Sequence, residues 1–424
     1  MANSKHKNTK NSMALSGDTL TIYALDHPSC VTNFVRAVNR AKNRDIKTIK
    51  ISFKCERSSI FPNACLPIAG IINNFEELFG IDCEVSIGDC SYLKQCCFVR
   101  PLDLSVEELK HIKNPLDKVF KYSSDELKEG QIAQLTQNYI DYISKTKQCS
   151  EGVLDSLMWC INEVMDNVLV HSGESSGYIM AQYHKNRQYL TICVYDYGMG
   201  IYNSLRNSMH SPSTEIDSLT MAILEGVGDG NGQGNGLFGL YQIVAENEGQ
   251  LTISSGNSAI MLKKGELKKY KKGSFISNGH ECTLVDFRLD LSKKIDIKSA
   301  LKSIGGIDGF DIRIDNMWQE RSNCYLYDVF EHCSGTGTRE AGRELRNDVV
   351  NILTKTHEPI VLDFSNVRAC SSSFIDEFLG KMIIDLGIIK FNASIKIINI
   401  NEFISHLFNR SIAMRFHQSW EKLK

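Results

Sequence analysis

The chain has 424 residues, of which 42% are hydrophobic and 23% are charged, and its formal net charge is -2. This length is sufficient for two to four domains with proper cores, and the composition is typical of an ordinary globular protein. Without a basic excess a nucleic-acid partner is not expected, and no apolar run is long enough to span a membrane. The polar stretch 1–16 resembles neither a signal peptide nor an anchor. We therefore expect a cytoplasmic protein in which residues 1–17 form a disordered tail.

The fourteen cysteines are scattered along the chain, many of them singly within apolar runs, and none forms a C-x-x-C pair. The densest group, formed by Cys83, Cys90, Cys96 and Cys97, lacks the paired spacing of a zinc site. The simplest interpretation is that the cysteines are reduced and lie in the core of the protein.

Strand and helix patterns alternate from residue 18 to residue 104, which predicts a small α/β domain. Its predicted elements, in chain order, are a strand at 20–24, a helix at 31–43, a strand at 47–53, a helix at 62–79 and a strand at 83–87. The charged segment 105–124 is interpreted as a linker to the next domain.

A central domain is predicted for residues 125–292. Its predicted helices are 127–145, 159–171, 215–226 and 240–247, and its predicted strands are 177–183, 188–195, 250–254, 259–262 and 281–289. The first two strands form a hairpin that turns at 185–187. The lysine-rich run 263–272 lies between two strands and is interpreted as a solvated hairpin tip rather than as a patch for an anionic partner.

After a second linker, 293–310, strand and helix patterns alternate again over 311–424. The predicted strands are 325–330, 359–364 and 393–398, and the predicted helices are 339–354, 373–386 and a last one from 402 onward. Residues 49–57 and 360–368 are faintly alike, and in both places an apolar helix follows the strand after a short polar loop. Either this similarity is chance or two diverged copies of one α/β unit flank the central domain. The fold class predicted for the whole chain is α/β.

The helix at 159–171 carries a polar pair on an otherwise apolar segment. Glu163 and Asn167 are four residues apart and therefore lie one above the other on one face, with Asp166 beside them. The carboxamide oxygen of Asn167 is suited to a hard cation that bridges phosphates. Glu163, one turn away, is placed to accept a proton from an attacking water or hydroxyl.

Two motifs that contain glycines follow along the chain. Asp196 comes directly after a buried strand and can accept a hydrogen bond from an exocyclic amine such as that of adenine, while Gly198 and Gly200 allow a tight backbone turn. Glycines recur over 234–239 at the start of a helix, where backbone N–H groups can reach phosphate oxygens. The sequence contains no G-x-x-x-x-G-K-[ST] phosphate loop. The order of the three motifs predicts a nucleotide site.

In their order and residues, the three motifs resemble those of the GHKL ATPase superfamily, which includes gyrase, the heat-shock chaperones, histidine kinases and the MutL proteins. Residues 162–172 resemble the N-box of that superfamily, and 196–200 and 234–240 resemble its two glycine boxes. The resemblance implies a two-layer α/β sandwich, the Bergerat fold, that binds ATP and Mg²⁺. It also implies that Glu163 is the catalytic base and Asn167 the metal ligand.

The same resemblance implies a set of residues that contact the nucleotide: Asp166, Asn167, Asp196, Gly198, Met199, Gly200, Gly234, Asn235, Gly236, Leu237, Phe238, Gly239 and Thr283. Cys282 replaces the glycine that precedes this threonine in the superfamily, whose lid would fall between residues 201 and 234. No phospho-acceptor histidine on a two-helix hairpin precedes the N-box, so a histidine autokinase is disfavoured. A glutamate four residues before the asparagine occurs in hydrolysing members and in the anti-sigma-factor serine kinases, which the central domain most closely resembles.

Residues 361–380 resemble STAS-type domains, and more closely the STAS-like domains of unknown function that occur beside GHKL modules in bacteria. Aligned through Leu362, the serine that is phosphorylated in anti-sigma antagonists falls on Ser373. Ser371 replaces the preceding aspartate of that pattern, and Phe374 replaces the following glycine. The alternative is that residues 371–373 form only a helix N-cap, with acidic residues in the first turn. Residues 18–104 would be a second, weaker STAS-like unit.

Three functions remain open at this point. The first is an ATPase that hydrolyses Mg²⁺-ATP and drives a switch transmitted by the STAS-like domains, in a nucleotide-dependent homodimer or in a complex with another protein of a bacterial regulatory or defence system. The second is a serine kinase of the anti-sigma type that phosphorylates Ser373 or a separate STAS-like partner. The third is a scaffold that senses ATP without hydrolysing it.

Overall fold

The computed structural model describes residues 12–125, 128–230, 234–271, 281–302, 314, 316–320 and 322–421. The protein is an α/β protein, as predicted, and forms two compact units. The first unit comprises Met1–Tyr139, Ser156–Asp290 and Asp296–Ile307, and the second comprises Ile140–Asp155, Leu291–Ile295 and Asp308–Lys424. Within the described ranges, no helix combines the length and the apolar character needed to cross a membrane. All fourteen cysteines are free thiols, and most of them are buried.

The first unit begins with a sheet in which one antiparallel edge strand is followed by three parallel strands. Its strands are β1 (Met13–Ser16), β2 (Thr19–Ile22), β3 (Thr48–Phe53) and β4 (Asp82–Ser86), in that spatial order. Its helices are α1 (Ser29–Lys42), α2 (Pro62–Asn73), α3 (Phe75–Phe79) and α4 (Ser91–Gln95). β1 lies in the stretch expected to be a disordered tail, of which residues 1–11 fall outside the described part.

The helix predicted at 62–79 is broken at Asn74, which separates α2 from α3. The Asn74 side chain donates hydrogen bonds to the carbonyl of Gly70 at 2.8 Å and to the hydroxyl of Tyr178 at 2.9 Å. An asparagine that bonds to nearby backbone and to a distant side chain offers the chain an alternative to continuing the helix. The break therefore has a tertiary cause.

The segment interpreted as a linker, 105–124, contains regular structure. It forms α5 (Val106–Lys110), which begins with a capping box between Ser105 and Glu108, and β5 (Phe120–Ser123). β5 pairs with the next strand and is an edge of the central sheet. The linker prediction and the observed strand differ because the alternation in β5 spans only four residues.

The central sheet is antiparallel in every pairing of its described strands, with the order β10-β9-β8-β11-β7-β6-β5. These strands are β6 (Ser176–His184), β7 (Tyr189–Asp196), β8 (Gln250–Ser255), β9 (Ser258–Lys263), β10 (Glu266–Tyr270) and β11 (Thr283–Asp290). The lysine-rich run supplies β10, and the tip is only Lys264 and Gly265. Both have positive φ, as a type I′ hairpin turn requires. Residue 272, at the end of the run, is outside the described part.

The helices between and after these strands are α6 (Gln131–Thr146), α7 (Val153–His171), α8 (Gly200–Arg206), α9 (Glu215–Ala222), α10 (Gly236–Glu246) and α11 (Ile297–Ala300). The boundaries between the two units fall within α6 and α7. The helix that was predicted at 127–145 corresponds to α6, which begins at Gln131. Residue 127 is outside the described part.

One face of the central sheet is covered by the N-terminal block of the same unit. α2 packs on β6, β7 and β11, and Tyr178, Tyr195 and Leu284 share a hydrophobic cluster with its apolar residues. The contact is close, because a Cβ atom on Gly70 would lie 2.6 Å from Cε1 of Tyr195. It also contains a buried polar link, in which Asn63 Nδ2 donates to Asp286 Oδ2 at 2.9 Å. The N-terminal block is therefore part of the same compact unit as the central sheet.

The sheet of the second unit has the same arrangement as the sheet formed by β1 to β4, with one antiparallel edge strand followed by three parallel strands. Its strands are β12 (Trp318–Gln319), β13 (Cys324–Asp328), β14 (Ile360–Asp363) and β15 (Ile395–Ile398), in that spatial order. Its helices are α12 (Arg339–Thr356), α13 (Ser372–Ile375), α14 (Lys381–Leu386), α15 (Ile388–Ser394) and α16 (Glu402–Glu421). The two stretches that are alike in sequence supply β3 and β14, which hold the same place in their sheets.

The helix predicted at 373–386 is interrupted by a π-helical turn, Asp376–Gly380, between α13 and α14. Ser371 caps α13, because its hydroxyl accepts a hydrogen bond from the N–H of Phe374 at 3.0 Å. Asp376 accepts two hydrogen bonds from the guanidinium of Arg415. Glu377 is buried against Arg346 and Lys381. The N-cap at Ser371 is as the alternative interpretation of this segment predicts.

Candidate functional site

α7 is the helix that organises the candidate site. Its apolar side chains are buried on one side, and it ends at His171, where Gly173 has the left-handed φ of 78° that is common after helix C-termini. Along another face, Trp159, Glu163, Asn167 and His171 recur every four residues. All four line one cavity. The helix therefore presents a continuous, mostly polar strip to that cavity.

The cavity has a volume of about 520 Å³, which lies within the range of roughly 300–1,000 Å³ that is usual for small-molecule sites. Its walls come from α7, α8, α10 and the strands β7 and β11. The predicted site residues that line it are Glu163, Asp166, Asn167, Asp196, Gly200, Gly234, Asn235, Gly236, Leu237 and Thr283. Three motifs that are far apart in sequence therefore meet in one space.

Glu163 and Asn167 face the first turn of α10. A Cβ atom on Gly236 would lie 2.6 Å from Glu163 Oε2 and 3.1 Å from Asn167 Nδ2, so only glycine fits here without movement of these side chains. Burial raises the pKa of Glu163, and the negative charge of Asp166 adds to the effect. The Nδ2 atom of Asn167 is buried without a hydrogen-bond partner. Buried polar groups are normally hydrogen-bonded, so this amide is free to donate to a ligand or to water.

α10 begins at Gly236, four residues earlier than predicted, so that the second glycine motif itself forms the first helical turn. Asn235 occupies the N-cap position but its side chain does not cap the helix. Its Oδ1 instead accepts a hydrogen bond from the N–H of Gly226 at 2.9 Å. The Asn235 side chain therefore does not occupy the N–H groups of the first turn, which lie where the helix dipole favours an anion.

Asp196 lies on the opposite wall, at the end of β7, with 4% of its surface exposed. Burial raises the pKa of Asp196 to about 7, although hydrogen bonds from the backbone of Gly198 and Thr283 oppose this rise. The N–H of Gly198 donates to its Oδ1 at 2.9 Å. Thr283 is directly opposite Asp196 in the pairing of β7 with β11, and the Oγ1 of Thr283 lies 3.2 Å from the Oγ of Ser255.

Alternation along β7 and β11 explains which side chains reach the cavity. Val194, Asp196, Thr283 and Val285 line it. Cys282 belongs to the hydrophobic cluster on the other face, with α2. The cysteine that replaces the glycine of the GHKL pattern therefore contributes to the core and does not obstruct the cavity.

Several predicted site residues do not line the cavity. Gly198 packs on the end of α7, where a Cβ atom would lie 2.3 Å from the carbonyl oxygen of Ser172. Met199 donates from its N–H to the same carbonyl at 2.8 Å. Gly239 packs on Trp159, and Phe238 is half-buried on α10. Ser373 belongs to the second unit, where its hydroxyl lies 3.0 Å from that of Ser371.

Other lining residues were missed by the sequence reasoning, notably Trp159, His171, Ser204 and Asp229. The four-residue spacing from Asn167 could have identified His171 and Trp159, because they occupy the same helical face. Ser204 and Asp229 carry no such signal. They lie in the segment 201–234 where the resemblance places a lid, and residues 231–233 of that segment are outside the described part.

The lining is acidic. Its ionisable side chains among the described residues are Glu163, Asp166, His171, Asp196 and Asp229, with no lysine or arginine. The described residues also contain no group of three or more His, Cys, Asp or Glu side chains arranged to hold a metal ion. A divalent cation would therefore need most of its ligands from a bound phosphate compound and from water, as is common for Mg²⁺.

A family model described as a STAS-like domain of unknown function (DUF4325) matches residues 341–404. The STAS-like prediction is confirmed for that part of the second unit. No curated protein matches the chain. Neither the family match nor the search of curated proteins supports the resemblance between the central block and the GHKL ATPases. That resemblance stays a prediction.

Proposed function

We propose that the cavity beside α7 binds ATP with Mg²⁺ and that the protein hydrolyses it slowly. The observation that carries this proposal is the meeting of Asp196, the pair Glu163 and Asn167, and the start of α10 in one cavity. Each group matches a different part of a nucleotide. The resemblance to the GHKL superfamily supports the same interpretation, independently of the geometry.

The sheet wall suits an adenine ring. Asp196, when ionised, accepts a hydrogen bond from an exocyclic amine, and Thr283 presents a hydroxyl beside it. Val194 and Val285 supply apolar surface on the same wall. A buried carboxylate without a positive partner in the lining favours a ligand that brings hydrogen-bond donors.

The α7 wall suits the phosphates and their metal. The N–H groups at the start of α10 are available to phosphate oxygens, and the glycine at 236 keeps the space in front of Glu163 and Asn167 free of a side chain. The unpartnered amide of Asn167 is consistent with a site that is completed by a ligand. Mg²⁺, when bound there through the oxygen of Asn167, would neutralise charge on the phosphates.

Glu163 is the group that we assign as the base. It would take a proton from a water molecule as the water oxygen attacks the terminal phosphorus, and the bond to ADP breaks, which yields ADP and phosphate. The raised pKa of Glu163 brings it closer to the operating pH, which favours proton transfer. We further propose that ATP binding and hydrolysis switch the protein between two states. The STAS-like regions would transmit this change within a homodimer or a hetero-complex.

A second candidate is a serine kinase that acts on Ser373 or on a separate STAS-like partner. It is favoured by the STAS-like match, which includes Ser373, and by the partial exposure of that residue. The N-cap role of Ser371 weakens it, because the local serines already have a structural purpose. A third candidate is a scaffold that binds ATP without turnover.

Incubation with γ-labelled ATP and Mg²⁺ separates the three candidates. Release of free phosphate by the wild type, lost in Glu163→Gln and retained in Glu225→Gln, supports the ATPase. Glu225 is an exposed glutamate that does not line the cavity and is the matched control. Label on the protein that is lost in Ser373→Ala supports the cis kinase, and binding without turnover supports the scaffold. Unchanged phosphate release in Glu163→Gln would falsify the assignment of the base.

A further inference from the structure

The first unit contains a second cavity, of about 930 Å³, which shares no described lining residue with the cavity beside α7. One wall is formed by the loops that follow the parallel strands β3 and β4, and the other by the end of β6 and the turn after it. Its volume is within the range of roughly 300–1,000 Å³ that is usual for small-molecule sites. The carboxyl ends of parallel strands are also a common place for ligands in α/β proteins.

A polar network joins the two walls of this second cavity. The hydroxyl of Tyr92 donates to Asp117 Oδ1 at 2.7 Å. Gln182 Nε2 donates to the same carboxylate oxygen at 3.1 Å and to the Tyr92 hydroxyl oxygen at 2.8 Å. The Oε1 atom of Gln182 is buried without a hydrogen-bond partner. Because buried polar groups are normally hydrogen-bonded, a network that ends in an unused acceptor suits a ligand that brings N–H groups.

The lining of the second cavity carries more negative than positive charge. Its described carboxylates are Glu56, Asp89 and Asp117, and Arg57 is the described lining side chain with a permanent positive charge. Burial lowers the pKa of His184, so this imidazole is uncharged at pH 7. The cavity therefore favours a cation and disfavours an anion such as a nucleotide.

An aromatic face in the same cavity already receives a cation. The ring of Tyr92 is buried, and the guanidinium carbon of the exposed Arg57 lies 5.2 Å from its centre, within the range of a cation–π contact. The hydroxyl of the same ring bonds to Asp117. A guanidinium or ammonium group on this face would thus have a carboxylate close to it.

We propose that the second cavity binds a small organic cation of the guanidinium or alkylammonium class, held by the carboxylate of Asp117 and the ring of Tyr92. Gln182 Oε1 would accept one of the N–H groups of the ligand. Arg57 is an internal competitor, because its guanidinium occupies the face of Tyr92 when the ligand is absent. This site is separate from the nucleotide cavity and does not depend on the proposed function.

The test is calorimetric titration of agmatine, which carries a guanidinium and an ammonium group, into the full chain at neutral pH. The wild type should bind it saturably, and Asp117→Asn should bind it about tenfold more weakly, because a charge-assisted hydrogen bond becomes a neutral one. Asparagine tolerates the left-handed φ of 57° at this position. The matched control is Asp45→Asn, at an exposed aspartate with φ of 58° outside the cavity, which should bind agmatine as the wild type does.

Arg57→Ala distinguishes the proposed contact from a general loosening of the cavity. Removal of the competing guanidinium should tighten agmatine binding by about threefold or more, whereas a loosened cavity would bind agmatine more weakly. Thermal unfolding verifies that each variant is folded.

Four results would overturn the inference: no binding of agmatine by the wild type, equal binding by the wild type and Asp117→Asn, weaker binding by Arg57→Ala, or tighter binding of the dicarboxylate glutarate than of agmatine. None of them bears on the proposed function, which concerns a cavity with other lining residues.

Discussion

Asp196 and Tyr195 are consecutive residues of β7 whose side chains lie on opposite faces of the central sheet. Asp196 lines the cavity, whereas Tyr195 packs against Gly70 of α2 in the N-terminal block. The strand is therefore buried on both faces, and the candidate site is formed on a sheet that the N-terminal block stabilises from behind.

Replacement of Asp196 by asparagine should stabilise the protein at alkaline pH. Because the pKa of Asp196 is raised to about 7, the folded state holds its proton more tightly than the unfolded state. Stability is therefore lost as the pH rises from about 4 to about 7, by up to about 4 kcal/mol. The asparagine side chain has no such titration, and its oxygen can still accept from the N–H of Gly198. The difference in melting temperature between Asp196→Asn and the wild type should grow between pH 5 and pH 8.

The exposed Asp82, replaced by asparagine, is the control and should show no such trend. A difference in melting temperature that is the same at both pH values for Asp196→Asn would contradict the raised pKa.

A methyl group at position 70 should loosen the N-terminal block from the sheet. In Gly70→Ala the new Cβ would lie 2.6 Å from the ring of Tyr195, so the ring or α2 must move. Overpacking of this kind lowers the free energy of unfolding by about 1–3 kcal/mol. Chemical denaturation measures this free energy, and Glu76→Ala, on the exposed side of α3, is the control. A Gly70→Ala variant as stable as the wild type would show that the interface tolerates the methyl group.

Asn351 should be a strong determinant of stability in the second unit. It is 3% exposed, and its side chain accepts from the N–H of Cys149 at 2.7 Å and donates to the carbonyls of Ser144 and Lys147 at 2.8 and 2.9 Å. Asn351→Ala leaves these backbone groups without their partner, at about 1–3 kcal/mol for each that stays buried. Urea denaturation should show the loss.

Arg343→Ala is the control. Arg343 lies on the exposed side of α12, the helix that also carries Asn351, and its replacement removes only a surface ion pair with Glu340. The free energy of unfolding should change by about 1 kcal/mol or less. If the two variants lose equal stability, the bonds of Asn351 contribute no more than a surface contact.

Replacement of Gly236 by alanine should weaken ligand binding without lowering the stability of the protein. The methyl group would occupy the space in front of Glu163 Oε2 and Asn167 Nδ2, where we place the phosphates. The atoms that the methyl group meets are the ends of two side chains, which can move aside, and alanine is at least as good a helix former as glycine, so α10 should not be weakened. We expect ATP binding to weaken about tenfold or more with little change in melting temperature. Gly337→Ala, in open space, is the control, and a Gly236→Ala variant that binds ATP normally would remove the phosphate site from this position.

The sequence was sufficient to identify the elements around the cavity because their signals are local. The spacing of Glu163 and Asn167 is that of one helical face, and Asp196 directly follows a strand pattern. The burial of β7 on both faces also had a signal, since apolar residues run almost without interruption from Leu190 to Tyr195.

Other features depend on contacts between distant residues and could not be inferred. The hydrogen bonds of Asn351 to the segment 144–149 span about two hundred residues, and they assign the end of α6 to the second unit. The hydrogen bond between Asp229 and His171 is likewise a product of the fold, because nothing in a glycine-rich segment marks one aspartate as the partner of a distant histidine. Similarly, the sequence of α2 predicts an apolar helix but does not indicate which sheet the helix covers.

The most direct test of the central claim is calorimetric titration of Mg²⁺-ATP into the wild type and into Asp196→Asn at pH 8. The wild type should show saturable binding, and Asp196→Asn should bind at least about tenfold more weakly although it is the more stable protein, because the carboxylate that accepts from the adenine amine is replaced. No binding by the wild type, or equal binding by both proteins, would contradict the claim that this cavity is an adenine nucleotide site.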